Sequence, residues 1–275
     1  LGSLRGDEPV AAHLHLEAGM ALNQFGLKRE AVGHLRDADR VFMQMGDDSG
    51  RSWALVSLAE AYADSGADED PEPILRRALT LAQRSGDRRA ERRGWKQLAV
   101  LCRYRGQPAE ALDAIVRALE GELTTHTRAN YLLELGHLKA WLGDYAASDD
   151  AYQDAAVAYA EHGDLLGQAN VERAMATNAL LLGRNAQGLR RLDRAAELYG
   201  RIGSDAGLGY VLRDRCLLRL TNGDETGAAD DVDEGLRCFR QSADAIGLAG
   251  MLRTAAKVRH VLRDPAGTQA VLREA

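Results

Sequence analysis

The chain of 275 residues carries a formal net charge of −6, and 45% of its residues are hydrophobic. No apolar run, Ala179–Leu182 among them, approaches the roughly 20 residues of a membrane span, and no basic-then-apolar segment indicates a secretory signal. The three cysteines form no Cys-x-x-Cys pair, which argues against a disulfide framework or a zinc site. We therefore expect a cytoplasmic protein without a metal or another cofactor.

Glycines recur at a fixed interval along the chain. The first series runs with a period of 40 residues, apart from one step of 37, through Gly26, Gly66, Gly106, Gly143, Gly183 and Gly223. A second series follows it through Gly46-Asp47, Gly86-Asp87, Gly163-Asp164, Gly203-Ser204 and the degenerate pair Ala243-Asp244. Two interleaved turn markers of one period predict a repeated helix-turn-helix unit, and hence an all-α solenoid of about seven antiparallel helix pairs.

The predicted helices alternate in chain order between the two kinds of turn. The first helix of each repeat is expected over 9–25, 48–65, 88–105, 125–142, 165–182, 205–222 and 245–262. The second helix is expected over 28–45, 70–85, 108–121, 145–162, 185–202, 225–242 and 265–275. Pro71 and Pro73 should shorten the second helix of repeat two, because proline lacks the N–H that a helix interior needs. The step of 37 residues predicts an irregular connection between repeats three and four.

Small residues occupy two fixed places in the repeat. Seven residues before each turn of the first series stand Gly19, Ala59, Ala99, Gly136, Ala176, Cys216 and Ala256. Twelve residues after it stand Ala38, Ala78, Ala118, Ala155, Ala195, Gly235 and Ala275. Nine residues after it stand the large apolar residues Leu35, Leu75, Ile115, Tyr152, Leu192, Val232 and Leu272. Small residues let helices approach closely and a large residue fills the gap between them, so these positions predict the core.

This pattern resembles the tetratricopeptide repeat (TPR), most closely in Leu135-Gly136, Gly143-Asp144-Tyr145, Tyr152 and Ala155. The resemblance covers the whole chain, although the period exceeds the usual one of about 34 residues and Gly-Asp replaces the proline that closes TPR repeats. It implies a right-handed superhelical solenoid, with residues 1–275 as a single array. Repeats of this length are similar to those of large bacterial signalling regulators and peptide-pheromone receptors. The start at Leu1, without Met, leads us to expect a piece of a larger protein.

Charge is divided unequally between the two sets of helices. The predicted first helices sum to +8 and the remainder of the chain to −14. The resemblance implies that first helices line a concave groove, which would then be basic and attract an acidic segment or a carboxylate. The groove-facing positions that it implies, ten and thirteen residues before the turn, include Trp53, Arg93, Lys96, Asn130, Asn170, Arg173, Tyr210, Arg213 and Arg253. We expect these residues to form the binding site.

These features favour a protein- or peptide-binding module of a bacterial regulatory or signalling protein, without enzymatic activity, since the sequence contains no catalytic constellation. Asn130 and Asn170 would each grip a peptide group through one donor and one acceptor. The arginines would offer forked donors to carboxylates of an acidic protein or peptide partner. An alternative is that the arginines pair with neighbouring acids such as Asp214.

The alternative function is a structural scaffold that mediates self-association, as a homodimer, or docks onto an effector domain outside this sequence. Nucleic acid is the weaker candidate as a partner, because Arg88–Arg93 is one local patch in a chain whose pI is 5.7. The acidic run Asp230–Glu234 is interpreted as the solvated face of a second helix. Asp47-Asp48-Ser49-Gly50 lacks the alternating ligands of a calcium loop, which favours a helix cap.

Overall fold

The structure is a computed structural model that describes residues 8–65 and 69–274, without the side chains of Asp64, Ser65, Ala266, Ala270, Leu272 and Glu274. Over these residues the chain forms fourteen α-helices and no strand, which confirms the all-α prediction. The helices fall into two compact units, residues 1–123 (unit 1) and residues 124–275 (unit 2). The division lies at the connection between repeats three and four, where the sequence predicts an irregularity.

The helices follow the predicted order, and their ends lie within two residues of the predicted ones. Unit 1 contains α1 (Glu8–Gln24), α2 (Lys28–Met45), α3 (Asp48–Ser65), α4 (Pro71–Ser85), α5 (Arg88–Tyr104) and α6 (Pro108–Leu119). Unit 2 contains α7 (Thr125–Trp141), α8 (Tyr145–His162), α9 (Leu165–Leu181), α10 (Asn185–Arg201), α11 (Asp205–Thr221), α12 (Glu225–Gln241), α13 (Ala245–Val261) and α14 (Pro265–Glu274). Odd-numbered helices are therefore the first helices of the repeats, and even-numbered helices are the second.

The turns explain the periodic glycines. Gly143 has a φ of 81°, in the left-handed region that glycine adopts without a steric cost. Ala243 and Arg263, at the last two turns, adopt the same left-handed conformation, with φ of 55° and 57°. The turn of the repeat is therefore kept at positions where glycine is replaced. Gly66 lies outside the described residues.

Aspartates after the turns begin the next helices. The Asp47 carboxylate accepts a hydrogen bond from the backbone N–H of Gly50 at 2.9 Å, which confirms the helix-cap interpretation of this segment. Asp70 caps α4 in the same manner. With Pro71 at its first position, α4 has 15 residues against 18 in α2, so the two prolines shorten this helix as predicted.

The predicted small and large positions meet in the core. The alanines twelve residues after each turn are fully buried throughout repeats one to five. A Cβ built on Gly19 would lie 2.5 Å from Cγ of Leu35, and one on Gly136 would lie 2.3 Å from Cε1 of Tyr152, so a larger residue has no room there. The core prediction is confirmed for the described positions. Ala275 lies outside them, as does the side chain of Leu272.

A second kind of packing pair, not predicted from the sequence, lies between consecutive repeats. Four aromatic side chains on second helices pack against four glycines at the start of the following first helices: Phe42 with Gly50, Tyr159 with Gly167, Tyr199 with Gly207, and Phe239 with Gly247. A Cβ built on Gly167 would lie only 2.2 Å from Cδ1 of Tyr159. Each of these glycines, having no side chain, therefore leaves room for an aromatic ring between consecutive repeats.

The interpretation of Asp230–Glu234 as a solvated face was wrong for one residue. Asp231 is only 2% exposed, because α12 turns it toward α11. Its carboxylate accepts hydrogen bonds from Arg215 at 2.7 Å and is paired with Arg219 at 3.0 Å. A buried carboxylate needs such partners to offset the loss of hydration, so this acid is structural rather than solubilising.

Candidate functional site

All the predicted site residues lie on first helices. Unit 1 holds Trp53 on α3, with Arg93 and Lys96 on α5. Unit 2 holds Asn130 on α7, Asn170 and Arg173 on α9, Tyr210 and Arg213 on α11, and Arg253 on α13. First helices also contact first helices, α1 with α3 and α3 with α5 in unit 1, and α7 with α9 and α11 with α13 in unit 2. Each unit therefore has a face formed by the first helices of neighbouring repeats, which we call the first-helix face, and side chains from different repeats can contact one ligand there.

In unit 1, the structure brings Trp53 and Arg93 together. The Arg93 guanidinium carbon lies 5.4 Å from the centroid of the Trp53 ring, a cation–π distance. Its Nη2 donates to Oε2 of Glu60 at 3.0 Å, so the predicted site residue pairs with an acid on the same face. Glu60 is not among the site residues predicted from the sequence.

Trp53 is fixed by a second acid. Its Nε1 donates to Oδ2 of Asp87 at 3.0 Å, and the Ser49 hydroxyl donates to the same oxygen at 2.5 Å. Burial by itself would raise the pKa of Asp87, but hydrogen bonds from the backbone N–H of Ala90 and from these two side chains outweigh burial and lower the pKa. An ionised Asp87 therefore joins the start of α5 to α3.

Lys96 lies in a pocket of about 480 Å³ between α3, α4 and α5. Its lining is formed by Ala59, Glu60, Tyr62, Ala63, Glu69, Pro71, Leu75, Lys96, Gln97, Val100, Leu101, Tyr104 and Arg105. Lys96 makes no ion pair with any residue that the structure describes, and Tyr104 is 77% exposed. The pocket combines an apolar wall with charged groups of both signs, the cations Lys96 and Arg105 and the carboxylates of Glu60 and Glu69.

In unit 2, Arg173, Tyr210, Arg213 and Asp214 form what we call the arginine–tyrosine cluster. The guanidinium carbons of Arg173 and Arg213 lie 5.2 Å and 5.1 Å from the centroid of the Tyr210 ring. Asp214 accepts a hydrogen bond from Nε of Arg173 at 2.8 Å and one from Nη2 of Arg213 at 3.3 Å. The alternative considered from the sequence, pairing of the arginines with Asp214, is therefore present.

The repeat itself builds this cluster. Arg173 stands ten residues before its turn, and Tyr210 stands thirteen residues before the next one, so the two positions meet between neighbouring first helices. The same geometry recurs one repeat later, where a Cβ on Gly250 would lie 3.1 Å from Nη1 of Arg213. Gly250 occupies the position that corresponds to Tyr210 in the preceding repeat. It leaves space for the Arg213 guanidinium, whereas Tyr210 stacks on the guanidinium of Arg173.

The two asparagines accept hydrogen bonds from tyrosines within the protein. The Tyr159 hydroxyl donates to Oδ1 of Asn130 at 2.9 Å, and the Tyr199 hydroxyl donates to Oδ1 of Asn170 at 2.5 Å. Burial raises the pKa of Tyr199, which keeps its phenol protonated as a donor. The acceptor half of each amide is therefore used within the protein. The donor Nδ2 of Asn170 makes no hydrogen bond with a described residue.

These pairs follow a rule that the sequence contains. Asn130–Tyr159 and Asn170–Tyr199 are separated by 29 residues, and two edge-to-face ring pairs, His13–Phe42 and Tyr210–Phe239, have the same separation. The residue thirteen before a turn thus packs on the aromatic side chain of the second helix in its own repeat. An aromatic residue recurring sixteen positions after the turn was the signal that could have identified this contact.

Arg253 is the most accessible of the predicted arginines in unit 2. It is exposed on α13 and makes no ion pair with a described residue. The predicted residues of unit 2 thus divide into a paired cluster, two asparagines bound by tyrosines, and this one unpaired cation.

The described residues contain no group of three or more His, Cys, Asp or Glu side chains that could hold a metal ion. Among the described helices, none combines the length and the apolar character that crossing a bilayer requires.

Three solved structures show which fold this arrangement shares. The chain is 17% identical to a signal transduction ATPase of the STAND class with a tetratricopeptide repeat sensor from Pyrococcus horikoshii, covering 96% of this chain and 41% of that one, with a TM-score of 0.73. It is 15% identical to the apo quorum sensor NprR from B. thuringiensis, covering 94% and 73%, with a TM-score of 0.73. It is 17% identical to a Rap protein complexed with Competence and Sporulation Factor, covering 96% and 78%, with a TM-score of 0.64.

No protein-family model and no curated protein sequence matches the chain, so the likeness is one of fold. The chain spans about two fifths of the length of the ATPase. The helix order, the buried small positions and these structural neighbours agree. The chain has the TPR-like fold of repeated antiparallel helix pairs.

Proposed function

We propose that this chain is a protein- or peptide-binding TPR module of a regulatory or signalling protein, in which cationic groups on the first helices recognise an acidic segment of the partner. The observation that carries the proposal is the arginine–tyrosine cluster, in which two guanidiniums are held against one ring on the first-helix face of unit 2. Stacked arginines are pre-organised, so they lose less conformational freedom when they bind a carboxylate.

Unit 1 supports the same function through α5. This helix carries six basic residues and one acidic residue. Arg93 stacks on Trp53, while Lys96, in the pocket between α3, α4 and α5, forms no ion pair with a residue that the structure describes. Cationic groups beside apolar and aromatic surface suit a partner segment in which acidic and apolar side chains are mixed.

The structural neighbours support a regulatory role. One is a quorum sensor, one carries its tetratricopeptide repeats as a sensor, and one is a Rap protein in complex with Competence and Sporulation Factor. By analogy, the role proposed for this chain is to sense a protein or peptide and not to catalyse a reaction. We place it in the cytoplasm, as expected from the sequence.

The test compares two double variants that change the net charge equally. Arg173→Gln with Arg213→Gln removes the stacked cations from first helices. Arg190→Gln with Arg201→Gln removes two exposed arginines from α10, a second helix, where neither forms an ion pair with a described residue. The full chain first selects binding peptides from a random library, and their affinities are then measured by fluorescence anisotropy.

We expect the first double variant to weaken binding of the selected peptides about tenfold or more, because charge-assisted pairs are lost. The α10 variant should bind as the unchanged chain does. Affinity should also fall as salt rises, since exposed charges are screened beyond about 8 Å at physiological ionic strength. Equal effects of the two variants would contradict the proposal. Recovery of no peptide, together with a dimer in solution, would favour the scaffold function.

A further inference from the structure

We propose that Asp214 is a built-in competitor, whose carboxylate holds the anion position of the arginine–tyrosine cluster until an acidic side chain of the partner displaces it. This inference rests on the proposed function, because it concerns how the same face selects its ligand. It makes Asp214 a residue that sets affinity and specificity, and it names the ligand group as a carboxylate.

The geometry shows that the cluster accepts a carboxylate, because it already holds one. Asp214 receives one hydrogen bond from each arginine, at 2.8 Å from Arg173 and at 3.3 Å from Arg213. Both guanidinium carbons lie within cation–π distance of the Tyr210 ring, which places the two cations side by side at one aromatic surface. A guanidinium has five N–H donors, so each arginine keeps donors that the structure engages with no acceptor among the described residues.

The charges favour competition. Two arginines and one aspartate leave the cluster with one net positive charge, whereas the arginines alone would carry two. A partner carboxylate that approaches Arg173 and Arg213 therefore meets both their attraction and the repulsion of Asp214. Displacing Asp214 from between them removes that repulsion at close range, and a longer acidic side chain of the partner can then pair with both guanidiniums.

Exposure separates this acid from a structural one. The side chain of Asp214 is 18% exposed, and those of Arg173 and Arg213 are 33% and 27% exposed. Asp231, by contrast, is 2% exposed and is held by Arg215 and Arg219. A partly exposed ion pair costs less to break than a fully buried one, so this pair can be exchanged for an intermolecular one more readily than that of Asp231.

The experiment uses the full chain and a fluorescent hexaglutamate peptide, with hexaglutamine of the same length as the uncharged probe. Asp214→Asn removes the competing charge while keeping the size of the side chain. Asp230→Asn on α12 is the matched control, because it changes the net charge equally at an exposed acid that forms no ion pair with a described residue. Anisotropy is measured at low ionic strength, and thermal melting checks that each variant is folded.

We expect Asp214→Asn to bind hexaglutamate about fivefold more tightly than the unchanged chain, or more, with no gain for hexaglutamine. Asp230→Asn should leave both affinities unchanged. An equal gain from both variants would show a general charge effect and would overturn the inference. A loss on Asp214→Asn would also overturn it, since Asp214 would then position the arginines for the ligand.

Failure of this inference differs from failure of the proposed function. If hexaglutamate binds equally to the unchanged chain and to Asp214→Asn, the competitor role is wrong, while binding to the first-helix face survives. If hexaglutamate binds neither protein, a carboxylate is not the recognised group. In that case the effect of Arg173→Gln with Arg213→Gln on the library peptides still decides whether the face binds a partner.

Discussion

The two units fill the junctions between successive repeats differently. In unit 2, Tyr159, Tyr199 and Phe239 each pack against a glycine at the start of the next first helix. Unit 1 uses this solution once, with Phe42 against Gly50, whereas its α4–α5 junction has the buried pair Ala82 and Ala90 at the corresponding places.

In that junction the large and small partners have moved by about one helical turn. A Cβ on Gly94 would lie 2.8 Å from Cδ2 of Leu79, so Leu79 fills the space that an aromatic ring fills elsewhere. Leu79 precedes Ala82 by three residues, and Gly94 follows Ala90 by four, which keeps both on the same helix faces. In both kinds of junction, one large residue packs against one glycine, and the two residues can come from either of two successive helical turns of the same helices.

The largest test removes an aromatic ring from unit 2. Tyr199→Ala should lower the free energy of unfolding by about 3–5 kcal/mol, because it leaves a cavity against Gly207 and deprives Asn170 of its donor. Urea unfolding followed by circular dichroism measures the loss. Val157→Ala on α8, where the side chain is 60% exposed, is the control and should be nearly neutral. A loss for Tyr199→Ala no greater than that of the control would refute the packing role of the ring.

A smaller test fills the glycine side of the pair. Gly167→Ala should cost about 1–3 kcal/mol despite the better helix propensity of alanine, because its Cβ would lie 2.2 Å from a ring carbon of Tyr159. In unit 1, Ala90→Gly should cost about 1–2 kcal/mol, because it loses helix propensity and one buried methyl group but relieves no contact with a ring. Chemical unfolding of both variants gives the comparison. Adding Tyr159→Leu to Gly167→Ala should restore part of the loss, and no recovery would argue against a direct clash.

The smallest expected effect is on how the stability of unit 1 depends on pH. The pKa of Asp87 is lowered from its ordinary value of 3.8, so ionised Asp87 adds stability above that pH, and the stability is lost as pH falls through the lower pKa of the folded state. In Asp87→Asn, the unfolding free energy should therefore fall less steeply on acidification than in the unchanged chain. Urea unfolding at a series of pH values, monitored by tryptophan fluorescence, measures this dependence.

Asp224→Asn is the control for this effect, because Asp224 caps α12 without a hydrogen bond from a tryptophan or a serine among the described residues. The same acid dependence in Asp87→Asn and in the unchanged chain would show that the bonds to Ser49 and Trp53 do not set it.

The candidate site was predicted in part. The sequence placed every chosen residue on a first helix, and the positions ten and thirteen before the turn do meet, as Arg173 and Tyr210 show. It did not identify the partners of these residues. Asn130 was expected to offer one donor and one acceptor to a peptide group; within the protein its Oδ1 accepts from the Tyr159 hydroxyl and its Nδ2 donates to the backbone carbonyl of His126. A repeat period states which positions correspond, and it does not state which atoms touch across two helices.

The sequence by itself determined the all-α repeat, the turns and the buried small positions, because glycine conformation, helix caps and side-chain volume are local properties that recur with the period. Only the tertiary structure decided that Asp231 is buried, that Asp214 lies against two arginines, and that the Trp53 Nε1 donates a hydrogen bond to Asp87. Such pairings depend on distances between helices and on how far each side chain is removed from water, and neither follows from residue type or spacing alone.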